Sequence, residues 1–485
     1  VPNARIKHIV VLMLENRSFD HMLGFLKAEN PEIRGVAAND YSNADGAGVD
    51  APVTDGAAYQ GQLNDPGHNI DDVYLQMYGV PLGTPLDPGV QSRQPTMSGF
   101  VRSYEEQVGL GQGPLVMRCF RPQQLPNLSA LARSYVVCDA WFSSVPGPTI
   151  PNRAFAHFGT SFGRLDMAPE YFRAHPSIYQ RLRQTNKVGK IYYYDQASST
   201  MGLSFLLSDQ SAYFGQLDDF ERDCRKNTLP EYSFVEPNYK DHGDMLATDQ
   251  HPDNSVSAGD TFIGRIYSAI RANNKVWEST VFVITWDEHG GLYDHQPPPA
   301  LPHVDGFPST DPNCTFDRLG VRVPAIVVSP YVRAGEVDHT VYEHASIPAT
   351  VTEQFIGPPQ VYSPFMREKW AATFLHLLRD QPARQDFPDF AARPSGQLEG
   401  LLDVVRPEPA DVRSGRSISS LLREQVNEAF TELRRQNPGL AAGFDPDKVT
   451  THQESADFMQ AVFNILHPTS ANKRPAPNAR ARKKK

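Results

Sequence analysis

Sulfur, long apolar runs and excess positive charge are all scarce in this chain of 485 residues. Its four cysteines, Cys119, Cys138, Cys224 and Cys314, include no C-x-x-C pair, which argues against a thiolate zinc site. Four are also too few for a disulfide scaffold, although one or two bridges stay open. No apolar run reaches the length of a membrane span, and no internal repeat is visible. The formal net charge of −10 argues against non-specific nucleic-acid binding by the body of the protein. No signal-peptide pattern opens the chain at Val1, an absence that excludes nothing about export.

What is present reads as a folded chain. Hydrophobic residues make up 40% and charged residues 21%, ordinary values for globular proteins. The length accommodates one large α/β domain plus a smaller unit. The 41 prolines gather in stretches such as 296–299, the punctuation of long loops.

Residues 6–14 read IKHIVVLML. The continuous apolar second half predicts a central parallel strand covered on both faces. Glu15-Asn16-Arg17-Ser18 follows, then a helix-like FDHMLGFL; a polar cluster between a buried strand and a helix is where open α/β sheets place their sites. Further strands are expected at 135–138, 190–194, 232–235, 280–286 and 323–329, with helices at 260–272 and 346–355. The alternation predicts an α/β fold with a mostly parallel sheet and helices on both faces. Residues 39–99, rich in Gly, Pro, Asp and Asn, read as long surface loops.

Composition shifts near Asp380. Residues 1–380 are expected to form the main domain, 381–470 a small C-terminal helical unit, and 471–485 a basic, disordered tail. Within the unit, Ile418, Leu421, Leu422, Val426, Phe430 and Leu433 share one helical face. Thr451 with Glu454 has the pattern of a capping box before Phe458, Val462 and Ile465. Residues 473–485 carry seven Lys or Arg, either a solvated tail or a patch drawn to anionic lipid.

Three segments carry chemistry: Glu15-Asn16, the stretch 286–291 (WDEHGG), and the stretch 146–153 (PGPTIPNR). Asp287 and Glu288 stand at the C-terminal end of an apolar strand, where unpaired carboxylates repel each other and lose solvation. A divalent cation relieves both problems. Oxygen donors from Glu15, Asn16, Asp287 and Glu288 suit Ca²⁺, Mg²⁺ or Mn²⁺ over a thiophilic metal, with Zn²⁺ left open. The bland alternative is an acidic pair satisfied by helix N–H groups. Thr149 lies between prolines in what reads as a stiff loop; beside a metal its hydroxyl becomes a competent nucleophile. Arg153 reads as structural. His68 and His251 could each donate to a phosphoryl oxygen or protonate a leaving group. His242, His289, His295 and His344 read as surface or structural, with His289 and His295 placed to orient metal ligands.

The segments ENRSFDHMLG (15–24), DPGH (65–68), MSGFV (97–101), PGPTIPNR (146–153), DQHP (249–252), WDEHGGLYDH (286–295), DRLGVRVPAIVVSPYV (317–332) and EHASIPAT (343–350) resemble, in order, the bacterial phospholipase C and acid phosphatase family, to which the plant non-specific phospholipases C also belong. The resemblance implies an alkaline-phosphatase-like α/β sandwich. It implies metal ligation by Glu15, Asn16, Asp287 and Glu288 together with the nucleophile Thr149. Asn16 and His68 would lie near the phosphate, and His251 would be the leaving-group acid. The acid phosphatase branch has Ser at the nucleophile and a further active-site His, which finds no counterpart between Tyr192 and Phe205. Both departures lean toward phosphodiester chemistry.

The expected reaction is hydrolysis of a phosphatidylcholine-like phosphodiester to diacylglycerol and phosphorylated head group through a phosphothreonine. Its rivals are a phosphomonoesterase of the acid phosphatase type and a non-catalytic phosphate or head-group binding module. The expected partner is a phospholipid or other phosphate ester, met at a membrane surface, with no nucleic acid. The expected setting is secreted, periplasmic or peripheral at a membrane, the cytoplasm staying open, as does the oligomeric state.

Overall fold

Ile9 to Leu14 are consecutive apolar residues, and none is exposed, so the strand they form is covered on both faces. The computed structural model describes residues 2–83, 94–167, 176–194, 213–239, 241, 246–301, 306–312, 314–386 and 388, then 426–427, 430, 433–434, 437–450, 454, 458, 461–462 and 465. In chain order the strands are β1 (His8–Leu14), β2 (Ser42–Ala44), β3 (Asp50–Pro52), β4 (Thr54–Asp55), β5 (Arg118–Cys119), β6 (Val136–Cys138), β7 (Gly189–Tyr193), β8 (Phe214–Gln216), β9 (Tyr232–Val235), β10 (Thr280–Trp286), β11 (Ala325–Val328) and β12 (Val337–Asp338). Eight of them build one sheet in the order β12-β6-β11-β10-β1-β9-β7-β8.

Five of the seven neighbouring pairs are parallel. The exceptions are the two pairs made by β11, which runs antiparallel to β10 and to β6. The fold is therefore α/β with a mixed, mostly parallel central sheet. The reversed strand was not visible beforehand, because a fully buried strand has the same apolar composition in either direction.

Five early helices are used below: α1 (Phe19–Leu23), α2 (Ile70–Tyr78), α3 (Phe100–Val108), α4 (Pro126–Ser134) and α5 (Thr149–Phe158). The helices Val256–Arg271 and Ser346–Phe355 match the expected positions. Ser255 caps the first of these by accepting from the Ala258 N–H, satisfying one orphan donor of its first turn.

The reading of 39–99 as surface loops is corrected. The segment contributes Ala51, Val53, Val73, Met77 and Met97 to a second hydrophobic core, closed by Phe100, Tyr104 and Tyr293. The four cysteines are free thiols, three of them buried.

The chain divides into two compact units, Val1–Glu408 and Pro409–Lys485. In the second, Val426, Leu433, Phe458 and Val462 are buried, and the Phe444 and Phe458 rings meet edge-on at 5.4 Å. Ile418, Leu421, Leu422, Thr451 and the basic stretch 473–485 lie outside the described residues. No described helix is long and apolar enough to cross a membrane.

Candidate active site

Parallel pairing sets the site. β1 and β10 run side by side in a register that places Leu14 opposite Trp286. The next residues, Glu15-Asn16 and Asp287-Glu288, therefore leave the sheet together at its C-terminal edge. The Asp287 N–H donates to the Leu14 carbonyl at 3.1 Å, and the Asn16 N–H to Asp287 Oδ1 at 3.1 Å. Asn16 turns back sharply, with φ of 58°, a left-handed conformation that Asn tolerates better than most residues. Gly290 makes room for that turn: its φ is +65°, and a Cβ there would lie 2.3 Å from the Asn16 carbonyl oxygen.

The loop after β9 delivers His251. The Glu15 N–H donates to the Asp249 carbonyl at 2.8 Å. Arg17 Nε donates to the Gln250 carbonyl at 2.7 Å, and Trp286 Nε1 to Gln250 Oε1 at 3.0 Å. Gln250 also has a positive φ, 70°, so the backbone feeding His251 is held in a sparsely populated conformation by three anchors. His68 arrives through the Gly67–Gly291 contact, where a Cβ on Gly291 would stand 2.7 Å from the Gly67 carbonyl. Gln76 of α2 ties the two loops, donating to the Gly67 carbonyl at 2.7 Å and meeting His289 Nε2 at 2.7 Å.

Thr149 is not in a loop, as its flanking prolines suggested; it is the first residue of α5. Pro148 takes the cap position outside the helix, and Pro151 falls in the first turn, where the N–H it lacks has no intrahelical partner. Asn152 holds the strap before the helix, donating to the carbonyls of Gly147 and Pro148 at 2.9 and 3.0 Å and accepting from the Val145 N–H at 3.0 Å. A helix N-terminus favours an anion at Thr149. One turn on, Arg153 reaches Glu15 Oε1 at 3.1 Å and Asp287 Oδ2 at 3.0 Å.

Four oxygens from these segments are buried without a hydrogen-bond partner: Glu15 Oε2, Asn16 Oδ1, Thr149 Oγ1 and Glu288 Oε1. An unsatisfied buried acceptor costs about 1–3 kcal/mol, so each of the four calls for a partner that the protein itself does not supply. Burial pushes the Glu15 carboxyl well up, with Asp287 and Asp249 adding and Arg153 opposing. Burial likewise raises Asp287, helped by Glu288. Burial works upward on Glu288 too, but His68 and His289 outweigh it and hold that carboxyl low. Oxygen donors of this kind, left without partners, suit a hard divalent cation by their chemistry.

The two histidines stand beside this group, ring centroids 6.1 Å apart. His68 Nδ1 bonds the Pro66 carbonyl at 2.8 Å, and its Nε2 lies 3.5 Å from Asn16 Nδ2. His251 is flanked by two carboxylates: Nδ1 meets Asp253 Oδ1 at 2.6 Å, and Nε2 is 3.4 Å from Asp65 Oδ1. Burial disfavours its charge, but Asp65 and Asp253 together raise its pKa well above the usual histidine value.

Sequence reasoning missed several residues. Asp65 and Asp253 were passed over, although both stand within three positions of a chosen histidine. His344, read as structural, grips the site from behind: its Nε2 is 2.5 Å from the Asp287 carbonyl. His289 stands 3.4 Å from Glu288 Oε2, an orienting position. His295 is corrected: it pairs with Asp20 at 2.6 Å rather than with any expected metal ligand. Among the described residues two groups of donors are spaced as metal sites require, Asp65-His68-His251 and Asp20-Asp294-His295, and the carboxylates of Glu15, Asp287 and Glu288 do not form a third. The second is already neutralised by Arg322, which reaches Asp20 at 2.9 Å and Asp294 at 3.1 Å. His242 lies outside the described residues.

A family model described as "Phosphoesterase family" matches residues 6–356. Non-specific phospholipase C4 of Arabidopsis thaliana is 36% identical over 409 residues, covering 80% of this chain and 74% of its own. Non-specific phospholipase C5 of the same plant is 37% identical over 431 residues, covering 84% and 80%. Phospholipase C B of Mycobacterium tuberculosis is 28% identical over 411 residues, covering 73% and 74%.

Proposed function

This chain belongs to the phosphoesterase family and is an enzyme of the phospholipase C type; on that footing we propose that it cleaves glycerophospholipids to diacylglycerol and phosphorylated head group through a phosphothreonine at Thr149. The observation that carries the reading is that four oxygens of the expected donor set are buried without a partner, one of them Thr149 Oγ1 at the first residue of α5.

Glu15, Asn16, Asp287, Glu288 and Thr149 would hold the divalent cation. When bound, that ion lowers the pKa of the threonine hydroxyl and offsets phosphate charge. The remaining work falls to the protein. The N-terminus of α5 offers its positive end to the phosphoryl oxygens. Arg153 keeps Glu15 and Asp287 in place, and His344 and His289 brace Asp287 and Glu288 from outside. Thr149 Oγ, having lost its proton to solvent before substrate binds and acting as the alkoxide, attacks phosphorus, the bond to the diacylglycerol oxygen breaks, and His251 gives that oxygen its Nε2 proton. Asp65 and Asp253 keep the proton available on His251 until then. Water next cleaves the phosphothreonine, releasing the phosphorylated head group and returning a proton to His251. His68 stands beside Asn16; with both ring nitrogens protonated, it donates its Nε2–H to a phosphoryl oxygen while Nδ1–H holds the Pro66 carbonyl.

Acid quench of turnover on p-nitrophenyl phosphorylcholine, followed by mass spectrometry of the Thr149 peptide, tests the intermediate. A phosphate on Thr149 that appears only with substrate is the expected result. Full activity in Thr149→Ala removes the residue from the mechanism. Faster turnover of p-nitrophenyl phosphate than of the diester favours a phosphomonoesterase instead.

A further inference from the structure

Asp65, His68 and His251 form a donor group of a different chemistry from the oxygens of Glu15, Asn16, Thr149 and Glu288. One ring nitrogen from each histidine and one carboxylate oxygen all lie within 4.8 Å of one another. Both histidines are oriented through Nδ1. His68 Nδ1 meets the Pro66 carbonyl at 2.8 Å, and His251 Nδ1 meets Asp253 Oδ1 at 2.6 Å. A carbonyl and a carboxylate only accept, so each holds a proton on Nδ1; in the neutral ring that leaves Nε2 with its lone pair. Metal-binding histidines are almost always held in this way, the far nitrogen donating to a carbonyl or carboxylate.

His251 Nε2 and Asp65 Oδ1 are 3.4 Å apart, and both are buried without a hydrogen-bond partner. Donors roughly 2.0–2.2 Å from a tetrahedral ion stand about 3.4 Å from one another, so an ion fits between these two atoms without moving them. Two imidazoles and a carboxylate suit Zn²⁺ and its late first-row neighbours, with water in the fourth position. The Asp65 side chain is 27% exposed, which gives an ion a path from solvent. Arg17 feels the same carboxylates, since Asp249, Asp253 and Asp65 oppose the fall in its pKa that burial causes. Among the described residues, however, its side chain bonds only the Gln250 carbonyl. Asp65 therefore keeps an oxygen for an ion, unlike Asp20 and Asp294, which Arg322 holds.

We propose that Asp65, His68 and His251 form a second metal site, for Zn²⁺-like ions, and that an ion held there stops turnover. Binding makes three metal–ligand bonds, and any protons on the two Nε2 atoms leave to solvent. His251 then has no proton for the leaving oxygen, and His68 has no N–H for the phosphoryl group. Asp65 and Asp253 favour positive charge at His251 Nε2 whether a proton or an ion supplies it. The inhibitory half rests on the roles proposed above for the two histidines; the binding half rests on geometry alone.

The test uses the full chain in excess Mg²⁺, titrated with Co²⁺ and followed by visible absorption, which is far stronger for four-coordinate than for octahedral Co²⁺. Wild type, Asp65→Asn, His251→Gln and Glu288→Gln are compared, each checked for folding by circular dichroism. The wild type is expected to develop the strong band and to lose it when Zn²⁺ is added. Asp65→Asn and His251→Gln should weaken Co²⁺ binding by at least about tenfold, while Glu288→Gln keeps it. Zn²⁺ should inhibit the wild type on p-nitrophenyl phosphorylcholine, and Asp65→Asn should raise the Zn²⁺ concentration for half-inhibition by a similar factor, relative to its own rate without Zn²⁺. Equal Co²⁺ binding in Asp65→Asn, His251→Gln and the wild type overturns the site. So does binding lost only in Glu288→Gln, which would put the ion among the oxygens. Full turnover with Zn²⁺ bound at the site overturns the inhibition. If the wild type does not cleave the diester at all, the phospholipase reading fails, and the Co²⁺ titration decides the metal site by itself.

Discussion

Arg153 and Asp287 form an ion pair with almost no solvent contact: Nε meets Oδ2 at 3.0 Å, and the two side chains are 2% and 0% exposed. The same guanidinium bonds Glu15, so the helix that begins with Thr149 clamps carboxylates from two neighbouring strand ends. Arg153 is thereby committed to the proposed ligands rather than to phosphate.

Replacing Arg153 by Met should leave two buried carboxylates short of one positive charge. Breaking a buried pair in this way costs about 3–5 kcal/mol. A bound divalent cation supplies charge at the same place, so the loss should be larger in chelator than in metal-saturated buffer. Urea denaturation of Arg153→Met under both conditions measures this; equal losses would mean that no cation shares these carboxylates.

Chelation should abolish turnover and lower the melting temperature, because a ligand held only by the folded state stabilises it. Adding back Ca²⁺, Mg²⁺ or Mn²⁺ should restore both. Glu288→Gln, which keeps the shape but removes charge from the donor set, should cut kcat by at least about a hundredfold and weaken metal binding in a calorimetric titration. Undiminished activity after exhaustive chelation would count against the metal assignment.

Gly290→Ala tests the approach of the two strand-end loops. A methyl group would sit 2.3 Å from the Asn16 carbonyl on a backbone with φ of +65°. A stability loss above about 1 kcal/mol is expected, with a disproportionate fall in kcat because Asn16 is displaced. Wild-type kinetics in this variant would show that the Asn16 position is not critical.

Acid stability should report Asp338. Burial works against its charge, yet His376, Tyr342 and Thr340 bring its pKa down from 3.8 to about 2. A carboxyl lowered on folding stabilises the protein above its unfolded value and loses that contribution as pH falls through the folded one. The displacement corresponds to about 2 kcal/mol. His376 carries the opposite sign: Asp338 raises its pKa from 6.5, so its contribution is complete below 6.5 and fades as pH rises through the folded value. Asp338→Asn should therefore cost most between about pH 4 and 6.5 and almost nothing near pH 2. Chemical denaturation across pH reads this, and a pH-independent loss would contradict it.

Much of the sheet was legible because burial leaves a local trace. The β10 strand was located to the residue from its apolar run, and β1 within two. The candidate ligands stood out in the sequence, since carboxylates at the ends of apolar strands are conspicuous. The second core was not: Val53, Val73, Met77 and Met97 are scattered among turn residues with no periodicity, and they meet only after the chain has doubled back. Asp65 and Asp253 were overlooked because an acidic residue near a loop histidine is common in any sequence.

Local composition by itself marked β1, β6, β7, β9, β10 and β11, and the side chains able to bind a cation, because apolar burial and oxygen chemistry belong to residues; the short strands β2 to β5, β8 and β12 it did not mark. Which of them meet was decided by tertiary structure. Glu15 and Asp287 are brought together by the parallel register of β1 and β10, the helix that starts at Thr149 reaches both through Arg153, and His251 follows a left-handed turn at Gln250. The β11 direction and the grip of Arg153 were settled in the same way. The reason is physical: pairing register and side-chain reach depend on how distant strands pack, and no stretch of a few residues carries that information.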